Sequence, residues 1–161
     1  MNPSLAKLAV IYLSFVLSML LSILPIPDSA AMFSPPWPLL TLLYWCLALP
    51  QKINMGTAWI VGFLMDVLTG SLLGLHALTY ALAAYLSYKN YPQLRNSPNW
   101  QQAVAVFFFL ALTQSFTLWL KHASNPFAFG IICWAPALTG ALCWPVTFKV
   151  LRRTRRHYRI Q

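Results

Sequence analysis

Six apolar runs follow one another along this chain, at 8–24, 37–49, 53–68, 72–86, 100–120 and 127–150, and polar or proline-rich residues close each of them. What lies between is too short and too one-sided in charge to make a water-facing surface. There are 11 Lys and Arg but only two acids, Asp28 and Asp66, and 8% of residues are charged. An ordinary soluble domain has about 25% and intersperses both signs over its surface. The pattern predicts an all-α integral membrane protein. It would have one six-helix transmembrane domain over residues 1–150 and a basic tail over 151–161. Two acids far apart in sequence also argue against a paired-carboxylate hydrolase and a carboxylate metal cage.

The runs differ in quality. The first has 17 residues, about 26 Å of helix. Lys7 before it and Ser29-Ala30-Ala31 after it imitate a cleavable signal, but its length and the five later runs favour an uncleaved span. The second is short and opens among Pro35, Pro36 and Pro38, which suits an interior helix or one beginning as early as Pro35. The third and fourth are joined tightly through Thr69-Gly70-Ser71, so a re-entrant pair and four spans is the alternative arrangement. Residues 91–99 and 121–126 read as loops. The fifth run is the clearest span. In the sixth, Pro136 and Pro145 read as kinks, because neighbouring helices can satisfy the freed carbonyls.

Six spans place both termini on one side. Lys7, Lys52, Lys89, Arg95, Lys149, Arg152, Arg153, Arg155, Arg156 and Arg159 then share that side and Lys121 stands alone on the other. Cations collect on the cytoplasmic face of membrane proteins, so both termini are expected in the cytoplasm. Six of the eleven residues from 149 to 159 are cationic. Arg152, Arg153, Arg155 and Arg156 would anchor topology and attract anionic lipid, at about 1 kcal/mol per charge near the surface. A cytoplasmic protein contact is the other use of such a tail, and nucleic acid is not an expected partner.

Cys46, Cys133 and Cys143 all fall in apolar stretches. On one helix Cys133 and Cys143 would stand about 15 Å apart, too far for a disulfide. All three read as small buried hydrophobes, and no metal or cofactor is expected.

One constellation is informative. Asn54, Ala58, Gly62, Asp66 and Gly70 recur every four residues, forming one narrow helix face, and Gly74 follows just past the turn. Small residues let helix backbones approach closely in a membrane, so this face predicts a packing seam. Asp66 is the one acid inside an apolar run, where an ionised carboxylate is costly unless hydrated or partnered. It could be hydrated near the outer interface, cap the turn at 70–74 or the start of the fourth helix, serve as a proton or substrate site, or dock a partner. His76 is a partner for Asp66 or a polar interface residue. Gln114 predicts an interhelical hydrogen bond. Ser71 and His76 lack the Gly-x-Ser-x-Gly elbow of a hydrolase, and no histidine pair has metalloprotease spacing, so an enzyme is not expected. Asp66→Asn is expected to fold nearly normally and Asp66→Leu to lose stability or partner binding.

Pro36-Trp37-Pro38, Tyr44-Trp45, Pro50, Asn54-Met55-Gly56 and the stretch from Gly62 through Asp66, Gly70 and Gly74 to His76-Ala77 resemble the bacterial rod shape-determining MreD family. The distinctive part covers 36–88; the rest agrees in length, span count and basic end. The resemblance implies a non-enzymatic scaffold of the bacterial inner membrane, in the machinery that elongates rod-shaped cells by peptidoglycan synthesis. The partners it implies are MreC first, through its membrane helix, then MreB, RodA and a class B penicillin-binding transpeptidase. It also implies a bundle similar to the substrate-binding subunits of energy-coupling-factor vitamin transporters, with a pocket open to the outer side. A small-molecule or vitamin-binding transport subunit is accordingly the alternative function. Gly62, Asp66, Gly70 and Gly74 lie in the family's most recognisable stretch, which transfers no catalytic role.

Overall fold

A computed structural model describes residues 3–25, 27, 33–124 and 131–158 of the chain. These residues form helices and no strand. We number them α1 (Pro3–Ile23), α2 (Trp37–Ala48), α3 (Met55–Thr69), α4 (Leu75–Lys89), α5 (Tyr91–Asn96), α6 (Asn99–Ser124) and α7 (Ala135–His157), with a 3-10 turn at Ile131–Trp134 leading into α7.

The second apolar run forms the centre. Trp37 and Pro38 open α2, where a proline's missing N–H is no loss. Ten of its twelve residues are buried, and it is about 18 Å long, well short of the roughly 30 Å hydrocarbon layer. It packs against α1, α4 and α7. The indole N–H of Trp45 donates to Ser14 Oγ on α1 at 2.8 Å, and Tyr44 meets the ring of Phe148 on α7 edge-on at 5.5 Å. Of the two readings of this run, the interior helix is the one that forms.

Around α2 the long helices alternate in direction. The ends of α1, α3 and α6 meet the starts of α2, α4 and α7 around one cavity, at Ser22, Met65, Thr117, Pro38, His76 and Ala137. At the opposite end, the close of α2 and of α7 meets α5 and the start of α6, at Ala48, Arg155, Leu94 and Gln102. The outer surface is apolar. Leu13, Leu17 and Leu20 of α1, Ile60, Leu64 and Val67 of α3, Val104 and Phe108 of α6, and Leu138, Leu142 and Val146 of α7 are all exposed. Monomers in water seldom expose contiguous apolar patches beyond a few hundred Å², so this surface is that of a membrane-associated protein. Among the described residues, one helix is both long and apolar enough to cross a bilayer, over Trp100–Leu120 with mean hydropathy 1.9. Lys7–Ile23, Trp37–Ala48 and Met55–Thr69 are apolar but shorter.

Several boundaries differ from the sequence reading. Residues 91–96 form a short helix and not a loop, because Pro92 sits in the first turn of α5, where it is tolerated. The loop expected at 121–126 is helical as far as Ser124; its last two residues lie outside the described ones. Pro136 occupies the first turn of α7 and so is not a kink, while Pro145 is interior. Cys133 belongs to the 3-10 turn, not to the helix that carries Cys143. Both are half-buried, Cys46 alone is buried, and all three are free thiols. The basic segment continues α7 without a break to His157, so residue 150 marks no change in the backbone. Asp28, Ser29-Ala30-Ala31, Arg159 and the start of the sixth run lie outside the described residues, as do the side chains of Arg95 and Lys121.

Candidate functional site

The four-residue repeat around Asp66 divides into three jobs. Asn54 starts α3: its side-chain oxygen accepts from the Thr57 N–H at 3.2 Å, and Thr57 Oγ1 accepts from the Asn54 N–H at 2.8 Å. This reciprocal cap satisfies two N–H groups that the helix itself leaves open. Ala58, Gly62 and Asp66 form the buried face. At Gly62 a Cβ would stand 2.5 Å from Ala77 Cα and closer still to the His76 carbonyl oxygen, so glycine is what lets α3 and α4 touch backbone to backbone. Gly70 and Gly74 shape the turn, with φ of 61° and 99°, values that cost an L side chain about 1–2 kcal/mol. The N–H groups of Gly70 and Ser71 return to the Asp66 carbonyl and close α3.

That turn folds the chain back so that α4 begins against the Asp66 side chain, which is fully buried. Its Oδ2 accepts from the backbone N–H of Gly74 at 2.9 Å and of Ala77 at 3.3 Å. Oδ1 accepts from the His76 N–H at 2.9 Å, from Ser71 Oγ at 2.8 Å, and from His76 Nδ1 at 2.8 Å. Gly74 is the N-cap of α4 and has no side chain; the carboxylate comes instead from the preceding helix. It meets the open N–H groups and the positive end of the helix dipole.

Serine, histidine and aspartate thus meet, but not as a hydrolytic triad. In a triad the serine and the acid bond opposite ring nitrogens. Here Ser71 Oγ lies 3.1 Å from Nδ1, the same nitrogen that faces Asp66, and Ser71 gives its proton to the carboxylate. Ser71 and Asp66 both sit on Nδ1, which leaves Nε2, the nitrogen that acts as base in a triad, without the serine. The His76 ring stands edge-on to Tyr80 at 5.9 Å. It borders the first cavity, of about 180 Å³, with Thr79, Thr113, Gln114 and Thr117. Gln114 Nε2 donates to the Cys133 carbonyl at 3.1 Å, tying α6 to the turn before α7. Among the described residues no three His, Cys, Asp or Glu side chains converge as metal ligands would.

The arginines also divide. Arg152 and Arg155, one helical turn apart, border the second cavity, and Arg152 lies over the Phe148 ring at 5.8 Å. Arg153 and Arg156 are exposed and do not border that cavity. Sequence reasoning treated the four as one cluster, and it missed Tyr44, Ser97 and Gln102 at this cavity, because no pattern in the chain links residues so far apart.

The match to known proteins spans both ends of the bundle. A family model described as rod shape-determining protein MreD covers residues 4–154. The chain belongs to the MreD family. A relative from Haemophilus influenzae named rod shape-determining protein MreD is 32% identical over 146 residues, which are 91% of this chain and 90% of that one. No solved structure matches. The family resemblance carried by 36–88 therefore holds over nearly the whole chain, including α6 and α7 as far as Thr154.

Proposed function

We propose that this chain is a non-enzymatic scaffold of the machinery that elongates rod-shaped bacterial cells, and that it sits in the inner membrane as six spans with both termini in the cytoplasm. Membership of the MreD family supports the role in cell shape. The observation that carries the scaffold reading is the Asp66 carboxylate, the one acid among the described residues. All five of its contacts go to the chain's own donors, which leaves it committed to joining two helices. Alternating helix directions and the outward apolar side chains support six spans, with α2 as the interior one. The partner proposed is MreC, through its membrane helix, with MreB, RodA and a class B penicillin-binding transpeptidase reached directly or through MreC. Depleting the protein should widen and round rod-shaped cells, and crosslinking in membranes followed by mass spectrometry should recover MreC. Unchanged cell width on depletion would sink the reading.

A transport subunit is the second reading. The cavity bordered by His76, Tyr80, Thr113 and Gln114 favours it, since a polar pocket between helices at one end of a bundle is where a small molecule would enter. It would suit a fold like that of the energy-coupling-factor vitamin-binding subunits. Saturable binding of a vitamin to the purified protein, abolished by Gln114→Leu, would establish it over the scaffold.

A further inference from the structure

A cleft of about 180 Å³ runs between α1 and α7 on the outer, apolar surface. The two helices each pack against α2 but scarcely against each other, so α2 reaches the floor of the cleft at Thr41. Leu17 and Leu21 form one wall, Val146 and Val150 the other, and all four are exposed. Hydroxyl groups also line the cleft, but they are already committed. Ser14, Ser18 and Thr147 donate to the carbonyls of Ile11, Phe15 and Cys143, at 2.6, 2.8 and 3.0 Å. The walls therefore favour apolar contact and offer a polar ligand little to bind. One turn of a helix about 10 Å across fills about 420 Å³. A partner helix would rest across the cleft, whereas an alkyl chain seats in it.

We propose that this cleft holds one acyl chain of an anionic phospholipid, whose phosphate is held by Lys7 and Arg153. Register along the helices argues for that pair. Lys7, Ser14 and Leu21 are spaced by seven residues, as are Val146 and Arg153, and residues two turns apart share a helix face. Lys7 and Arg153 thus continue the two walls beyond the cleft. Depth agrees. Trp45 bonds Ser14, and its neighbour Tyr44 meets Phe148, so Ser14 and Phe148 stand at one level of the bundle. From that level Lys7 lies about 10 Å further along α1 and Arg153 about 8 Å further along α7, both toward the basic end. Lys7 is half-buried and Arg153 exposed, while Asp66, the one acid among the described residues, lies at the opposite end. Tyr88 and Trp100 are exposed at the basic end, as aromatic residues are at headgroup level. Two cations beyond an apolar cleft match a ligand with a negative head and a hydrocarbon body. The site does not depend on which protein the bundle meets.

Photolabelling of the full-length protein in phosphatidylcholine vesicles tests the site. The vesicles carry a trace of either phosphatidylglycerol or phosphatidylcholine with a diazirine in one acyl chain, and peptide mass spectrometry locates the label. Phosphatidylglycerol should label Leu17, Leu21, Val146 and Val150 about ten- to thirtyfold more than phosphatidylcholine does. Ile60 and Phe108, exposed on other helices, should show no such preference. Lys7→Gln/Arg153→Gln should abolish the excess. Arg152→Gln/Arg156→Gln removes equal charge from positions that do not continue the walls and should keep it. Val150→Trp, at an exposed position, should fill the cleft and remove the excess at Leu17 and Leu21. If a variant fails to fold, the wild-type contrast between the cleft and the outer residues decides alone. Equal labelling by the two lipids, as large a preference at Ile60 or Phe108, the same result in both charge doubles, or an excess that survives Val150→Trp overturns the proposal. So does a protein crosslink through Val150 in place of the lipid label in native membranes, which would assign the cleft to a partner's helix or a second copy.

Discussion

At the scale of single residues, the chain places its one described acid where water cannot reach it and surrounds it with donors. Five contacts fill the carboxylate's capacity of about four lone-pair sites, and they draw on both oxygens. This changes what substitution should do. The residue pattern alone suggested that asparagine would replace Asp66 at little cost. The geometry says otherwise: an amide keeps one acceptor and must turn an NH2 toward N–H or O–H donors wherever it points. Asp66→Asn should therefore lose about 1–3 kcal/mol. Asp66→Leu should lose more, since it leaves the N–H groups of Gly74, His76 and Ala77 without acceptors. Thermal unfolding in detergent ranks the two; a wild-type midpoint for Asp66→Asn would remove the carboxylate's second oxygen from the account.

Between elements, the same small residue type serves different ends. Gly62 is a contact, and Gly62→Ala should force α3 from α4 at a cost of about 1–3 kcal/mol. Gly56, also in α3, meets only Asn54 Oδ1, at 3.3 Å, so Gly56→Ala should fall within about 0.5 kcal/mol of wild type. Equal behaviour of the two in chemical unfolding would show that backbone approach does not join these helices. The α1–α2 junction rests on one polar bond inside an apolar contact. Ser14→Ala strands the indole N–H of the fully buried Trp45 and should cost about 1–3 kcal/mol. Combined with Trp45→Phe it should cost less than the sum of the two, because the second change removes the stranded donor. Strict additivity in that cycle would mean the bond contributes nothing.

For the whole molecule, the proposed orientation rests on charge placement and helix direction. Fluorescent reporters that mature only in the cytoplasm should be active at both ends of the chain. Replacing Arg152, Arg153, Arg155 and Arg156 with glutamine should weaken that orientation, since cation bias sets topology. A periplasmic reporter signal from either end of the wild type would contradict six spans.

Much of this was legible in the linear chain. Apolar runs broken by prolines and cations marked the six long helices to within about five residues, except α7, which starts eight and ends seven residues later than its run, because hydrophobicity and proline act locally. The scarcity of acids marked the outer surface as one for lipid, and Asp66 with its glycines marked the junction of α3 and α4. What the chain alone did not settle was which of several partners Asp66 would take, that Ser71 would share a histidine nitrogen with it, or that α2 would be enclosed by its neighbours. Nor did it single out Arg152 and Arg155 as the pair that borders one cavity, or bring Tyr44 and Gln102 to that cavity. Those outcomes depend on distances between helices. Such distances are fixed only when glycine contacts, turn angles and buried hydrogen bonds are satisfied together, and no local pattern contains that condition.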